Sequence, residues 1–371
     1  MAAARRLFMP AEWTRHSRTL MAIPGLASQT WNKTLPKAIE EVTNVAKAVS
    51  LFEPVTLLTG SAQVASTQKS VQDCGRYGID VVSLDTDGSD SDLDPWMRDI
   101  APTFVFGNPR KKHAFTNNVD SVNPSQLESR VFGVDYNFNG WGAKYPTSSN
   151  TSLARVVLER MKVPRIKAPV VAEGGALEVD GQGTLLATES SLVNANRNPG
   201  KDRRTVEEGL QETLGVSKVI WLPGASGADV TDCHIDALAR FAEPGVILLS
   251  KPASSRASVW SKVYEEARRV LSNARDAHGR SFRLVDVHEP DVTGIDVTDG
   301  EMVASYVNYY LVNNQGLIVP KFGVLDYDAL AAKTLSAAFP TRHIVQVEIR
   351  ELAFAGGGIH CITQQIPDPL T

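Results

Sequence analysis

Cys361 stands behind the glycine triplet Gly356-Gly357-Gly358 and ahead of the polar run Thr363-Gln364-Gln365. Three glycines permit positive φ and a close backbone approach to a ligand. A cysteine held after them on an apolar segment is placed to act as a nucleophile; the plainer alternative is a small buried thiol. A second constellation is Thr231-Asp232-Cys233-His234-Ile235-Asp236. Side chains at i and i+2 of a strand share a face. That spacing predicts a strand aiming the His234 imidazole and the Asp236 carboxylate into one cavity, with Cys233 and Ile235 turned away as packing. A lone H-x-D also occurs as a surface salt pair. In the third, residues 94–102, Arg98-Asp99 lies between prolines. Either the two form a loop-fixing salt bridge, or Asp99 serves a ligand while Arg98 holds the loop and Trp96 makes an apolar or cation–π wall. In the fourth, Glu173 beside Gly174-Gly175 can bond a catalytic group, while Asp180-Gly181 reads as a hairpin turn.

A guanidinium would use all of these parts. It is planar and permanently charged, and its paired N–H donors suit two carboxylates. Once gripped, its central carbon is open to attack from one face. A thiolate is a strong nucleophile and a workable leaving group. At an unperturbed pKa only about 3% of a thiol is ionised at pH 7, so a nearby imidazolium or the cationic substrate must increase that share. The histidine can protonate departing ammonia and later activate water. Such chemistry requires no metal and no organic cofactor. The chain has no H-E-x-x-H, no Walker loop and no G-x-G-x-x-G after a strand. A protease-type Cys–His site is disfavoured by the doubled carboxylates and by the absence of C-G-[SA]-C-[WY].

Positioning these residues falls to alternating helices and strands. Ala38, Val42, Val45 and Val49 form a helical stripe, ending near Pro54 and followed by a strand over 55–60. A short helix over 61–73 precedes a strand over 79–84. Later pairs are 205–214 with 219–222, 259–271 with 282–285, and 327–339 with 343–349. Apolar runs at 103–106, 184–187 and 246–249 add further strands. The pattern predicts an α/β fold of about five large supersecondary units, arranged radially or in a sheet. No Pro/Ser/Gly-rich linker divides residues 1–371, and the polar run at 121–129 reads as a surface loop, so one domain is expected.

Composition narrows the function. With 38 Lys plus Arg against 42 Asp plus Glu, the net charge of −4 argues against a protein that neutralises nucleic-acid phosphates or anionic lipid. The three cysteines are too few for a disulfide framework or a Cys-rich zinc site, and they suit a reducing compartment. No run approaches the roughly 18 to 20 apolar residues of a membrane span. Pro10, Glu12 and Arg15 break up any signal-like segment. A cytoplasmic location is expected.

Several segments together resemble one family. They are MPAEWTRH at 9–16, DPWMRDIAPTFV at 94–105, FNGWGAKY at 138–145 and EGGALEVDGQGTLLATESSLVNANRNPG at 173–200, then IWLPG at 220–224, TDCHIDALARF at 231–241 and GGGIHCITQQIP at 356–367. The chain resembles the agmatine deiminase and bacterial-type peptidyl-arginine deiminase family of the guanidine-modifying superfamily, over nearly its whole length. The resemblance implies a five-bladed α/β propeller (pentein) of ββαβ-type units and a homodimer. By motif, Cys361 looks like the nucleophile and His234 the general acid/base. Asp99 and Asp236 look like the guanidinium-binding carboxylates, and Glu173 like the partner orienting His234. Trp96 and Trp141 would wall the entrance, and Gly358 would border the substrate. The reaction so implied converts agmatine to N-carbamoylputrescine through a covalent thiouronium-type intermediate. Free or peptidyl arginine, giving citrulline, or another guanidino compound is the alternative, and a non-catalytic binding module the remaining one. Compared with the usual pattern, this chain lacks an Asn within GGGIHC, carries Cys233 and Ala237 around H-I-D, and reads Ala22-Ile23-Pro24 where a Trp before the proline is common.

Overall fold

The stripe Ala38, Val42, Val45 and Val49 becomes the buried face of the helix Leu35–Ser50, which leads into the strand Val55–Thr59. The chain is seen in a computed structural model that describes residues 7–28, 30–31, 34–72, 74–84, 91–107, 130–145, 149–253, 258–292 and 302–369. The polar run at 121–129 lies outside the described residues. The other helix–strand pairs also form: Arg203–Leu214 with Lys218–Leu222, Val259–Asn273 with Arg283–His288, and Leu325–Ala338 with His343–Glu348. Local signals mark their ends. Asp202 caps its helix by accepting from Thr205 N at 2.8 Å, and Gly215 closes it in the left-handed region at φ 70°. The helix Ser149–Met161 carries no strong stripe and was not anticipated.

The described strands form five sheets, two of four strands and three of three. One connectivity recurs: an antiparallel strand pair, a helix, and a third strand parallel to the second. Ala239–Glu243 pairs antiparallel with Val246–Lys251, and after the helix Val259–Asn273 the strand Arg283–His288 returns parallel. Glu178–Val179, Thr184–Thr188 and Lys218–Leu222 repeat this order. So do Tyr310–Val312, Gly316–Lys321 and His343–Glu348, and Thr103–Gly107, Arg130–Asp135 and Arg165–Lys167. The fifth sheet joins the chain's two ends: Gln364–Pro367 pairs antiparallel with His16–Ala22, which runs parallel to Val55–Thr59. Middle strands covered on both faces read as continuous apolar runs, as in Ile247-Leu248-Leu249 and Leu317-Ile318-Val319, all fully buried. No helix among the described residues is long and apolar enough to cross a membrane.

Where the first strands meet, the interior is charged. Glu12 Oε2 lies 2.7 Å from His360 Nε2 and 3.3 Å from Arg98 Nη2, and its Oε1 lies 3.0 Å from Arg240 Nη2 and accepts from Leu311 N at 2.9 Å. Arg240, wholly buried, also donates from Nε to Glu178 at 2.7 Å and from Nη1 to the Tyr309 carbonyl at 3.1 Å. His360 Nδ1 faces Asp236 Oδ2 at 2.7 Å. Two carboxylates on the two ring nitrogens are both satisfied only when both nitrogens carry hydrogen. Burial works against a charged Glu12, yet Arg240, His360 and Arg98 hold its carboxyl well below the usual range.

Removing one charge from such a cluster leaves the others buried and uncompensated. Glu12→Gln is therefore expected to cost about 3–5 kcal/mol of unfolding free energy, measured by denaturant titration at pH 7. Because the folded pKa is depressed, the contribution is present above the unfolded carboxylate value and lost as pH falls through the lower folded one. The gap between wild type and variant should narrow in acid.

Candidate active site

Each of the five sheets sends a polar side chain inward from the segment just ahead of its first strand. Asp99 sits on the short helix Met97–Ile100 before Thr103–Gly107, and Glu173 precedes Glu178–Val179. His234 and Asp236 precede Ala239–Glu243, and Cys361 precedes Gln364–Pro367. The fifth contribution is Asn308, just ahead of Tyr310–Val312. Sequence reasoning missed it because an isolated Asn carries no motif. Its equivalent place in the repeating unit was the available signal.

Gly175 lies at the focus. A Cβ there would meet His234 Nδ1 at 2.7 Å, Asp99 Oδ1 at 2.8 Å and Asp236 Oδ2 at 3.1 Å. Three functional side chains thus converge on a space that only glycine leaves open. Asp99 is fixed by its neighbours: Gly175 N donates to Oδ1 at 3.0 Å and Trp141 Nε1 to Oδ2 at 2.8 Å. Trp141 is therefore more than a wall, since it orients a carboxylate. Arg98 ties this segment to that of Cys361 by donating to Gln365 Oε1 at 2.7 Å and to the His360 carbonyl at 3.4 Å.

The strand expected through His234 and Asp236 does not form. His234, at φ −62° and ψ 146°, instead begins a 3-10 turn over Ile235–Ala237. Both side chains still reach the cluster, because Asp232 and Cys233 adopt φ of 61° and 71° and redirect the chain ahead of the turn. Such a conformation strains residues other than glycine and persists only when surrounding contacts hold it. Here Asp229 Oδ1 accepts from Thr231 N at 2.8 Å and Cys233 N at 3.0 Å, while Arg197 Nη1 and Lys144 Nζ grip Asp232 at 2.6 and 2.8 Å. Cys233 is a packing residue, as expected; burial pushes its thiol up to about 12. Asp180 likewise forms the anticipated turn, its Oδ1 accepting from Gln182 N and Thr184 N.

His234 is buried among carboxylates. Its Nδ1 is 3.7 Å from Asp99 Oδ2 and its Nε2 3.6 Å from Glu173 Oε2, ion-pair distances longer than hydrogen bonds. Burial favours the neutral ring, but Asp99, Glu173 and Asp236 outweigh it and push the pKa up to about 9. Glu173 bonds first to Arg197, whose Nε donates to both its oxygens at 2.8 and 3.0 Å. Asp236 keeps its charge despite burial through the His360 hydrogen bond. Its Oδ1 is buried without a hydrogen-bond partner among the described residues.

Cys361 Sγ lies 3.8 Å from Asp236 Oδ2 and 3.4 Å from Asn308 Nδ2. Asn308 also clamps the nucleophile's segment, its Oδ1 accepting from His360 N at 3.0 Å. Burial, Asp236 and Asp99 together push the thiol well above its ordinary pKa. A tight cavity of about 30 Å³ is lined by Trp96, Asp99, Trp141, Thr231, Gly357 and Cys361 among others. Gly358, expected at the substrate, is not in that lining. A Cβ on it would lie 2.3 Å from Asn308 Oδ1, so its smallness admits the carboxamide. Among the described residues, no group of three His, Cys, Asp or Glu is arranged to hold a metal ion.

Two inward carboxylates, a cationic imidazole and a protonated thiol share this buried space. The carboxylates suppress the thiolate. Alkylation of Cys361 by iodoacetamide should therefore be slow at pH 7 and climb through pH 9 and above. Asp99→Asn, by removing one negative neighbour, should speed it at pH 7; an unchanged rate would contradict this electrostatic account.

Residues 8–367 match the family model described as Porphyromonas-type peptidyl-arginine deiminase. The chain is 36% identical to an agmatine deiminase of Medicago truncatula, with 97% of this chain and 96% of that protein covered. It is 34% identical to an agmatine deiminase of Ectopseudomonas mendocina, covering 97% and 95%. The solved agmatine deiminase of Enterococcus faecalis superposes with a TM-score of 0.81 at 28% identity, covering 98% of this chain and 96% of that one. With a match running almost from end to end, the chain belongs to the Porphyromonas-type peptidyl-arginine deiminase family, hydrolases of the C–N bonds of amidines.

Proposed function

We propose that the protein is a cysteine-dependent deiminase converting a guanidino group to a ureido group and ammonia, with agmatine as substrate and N-carbamoylputrescine as product. The observation carrying this reading is the convergence of Asp99, His234 and Asp236 on Gly175, with Cys361 Sγ 3.8 Å from Asp236. The five sheets, in this reading, are the blades of a pseudo-symmetric propeller whose axis holds the site, and the enzyme works in the cytoplasm.

The guanidinium is held by Asp99 and by the open Oδ1 of Asp236. Its charge offsets the two carboxylates that suppress the thiolate, so Cys361 loses its proton to the medium as substrate settles. Sulfur attacks the guanidinium carbon to give a neutral tetrahedral adduct. His234, protonated at neutral pH, gives its proton to one amino group, and ammonia departs to leave a cationic S-alkyl thiouronium. The neutral imidazole then takes a proton from water as hydroxide adds to that carbon. Collapse of this second adduct expels the thiolate, forms the urea carbonyl and releases a proton that restores the Cys361 thiol. Glu173, anchored by Arg197, faces Nε2 and stabilises the imidazolium.

Ammonia release from agmatine, free arginine and an arginine-containing peptide, assayed in parallel, tests the reading. Turnover is expected with agmatine above the other two. No reaction with any of them while Cys361 still alkylates would favour a binding module. Cys361→Ala and Asp236→Asn should each abolish turnover with the far-UV circular dichroism of the fold intact. Asn is preferred at position 236 because it keeps a partner for His360. Asn308→Ala, which removes the amide that donates to Cys361 Sγ at 3.4 Å, should lower kcat at least tenfold. Because that hydrogen bond favours the thiolate, the alkaline rise of Cys361 alkylation should also move to higher pH in the variant, and an unmoved rise would limit Asn308 to holding the segment.

A further inference from the structure

Beside the tight mouth lies a much larger chamber of about 400 Å³. The two share Val230, Ala355 and Gly356, and His234 lines the larger one. Its walls include Val230, Leu238, Trp260, Met302 and Phe354. A molecule whose guanidinium meets Asp99 and Cys361 can therefore extend past Val230 into an apolar space.

One carboxyl stands out in that space. Glu289 lines the chamber with Ser250 and Ser305, and its Oε1 is 2.7 Å from Ser250 Oγ. Ser250 Oγ is 2.9 Å from Ser305 Oγ, which donates to the Ala237 carbonyl at 2.7 Å. Three links need three protons, and the two hydroxyls supply two. The third must come from Glu289, so the row is complete only with the carboxyl protonated. The second oxygen of Glu289 has no hydrogen-bond partner among the described residues. Burial pushes this carboxyl up to about 7, in agreement with the proton count. The chamber's other ionisable groups are Asp229, whose Oδ1 accepts from Thr231 and Cys233, His234, which faces Asp99 and Glu173, and Cys233, whose thiol burial keeps protonated.

We infer that this chamber is the subsite for the far end of the guanidino substrate and that Glu289 receives a terminal ammonium there. The inference rests on the deiminase reading for the guanidinium end. It adds to that reading the space and the residue that select a second cation, and exclude a carboxylate, at the far end of an apolar linker. Arrival of the ammonium favours the carboxylate form, so the Glu289 proton passes to the buffer.

Calorimetry on Cys361→Ala protein, which cannot turn substrate over, separates binding from chemistry. The ligands are agmatine, n-butylguanidine, and the eight-carbon pair with and without the terminal amine. The amine is expected to tighten binding about tenfold at one or both chain lengths, with proton release visible as a dependence on buffer ionisation enthalpy. Glu289→Gln on the same background should remove both effects and leave the plain alkylguanidines unchanged. The inference is overturned if the amine brings no gain at either length, or if the gain survives Glu289→Gln. Met302→Trp, which fills the chamber from another wall, provides a second variant. It should weaken all four ligands while methylguanidine binds as before, and unweakened binding counts against the subsite. Ammonia release by wild-type protein from the same compounds tests the deiminase reading separately. Glu289-dependent binding without ammonia would sink that reading alone, and ammonia without an amine effect would sink the subsite alone.

Discussion

Glu12 and His360 form the contact on which the site depends. His360 is gripped at 2.7 Å by Glu12 on one nitrogen and by Asp236 on the other, so one imidazole ties the chain's first turn to the carboxylate facing Cys361. Glu12 in turn neutralises Arg98, which holds the Asp99 segment, and Arg240, whose backbone lies in the strand after Asp236. An isolated buried charge is prohibitive, so each member persists only because the others are in place. The five segments that carry the site are thereby locked to one another by electrostatics as well as by packing.

The repeating sheet pattern explains why so few residues suffice. Each unit delivers one short segment inward just before its first strand, and the five segments carry Asp99, Glu173, His234 with Asp236, Asn308 and Cys361. In the proposed reaction Asp99 and Asp236 receive charge, Glu173 and His234 manage the proton, Cys361 attacks, and Asn308 holds Cys361. Gly175 marks where these tasks meet, since any side chain there would occupy the space among them. Small backbone geometry is as much a part of this site as the charged groups.

The electrostatics also keep the buried thiol quiet. A thiolate beside two carboxylates is disfavoured, so the thiol stays protonated. The same carboxylates keep His234 protonated, ready to donate. In the proposed reaction binding and activation are a single event, because the charge that is recognised is the charge that releases the nucleophile.

The residue types alone singled out groups that the fold brings together: Cys361 behind its glycines, H-x-D at 234–236, Asp99 and Glu173. Amphipathic spacing disclosed the order of most helices and strands, since burial imposes periodicity directly on the sequence. Other features were invisible there. The turn at 235–237 looked like a strand because both conformations can present i and i+2 side chains together, and only the left-handed Asp232 and Cys233 distinguish them. Glu12, Arg240, Asn308 and Glu289 matter through partners tens or hundreds of residues away, a relation no local pattern encodes. The sequence by itself determined which functional groups are available and the family they belong to. Tertiary structure decided which carboxylates share a buried space, and hence which of them are ionised, because desolvation and distance set a charge's energy and neither is written along the chain.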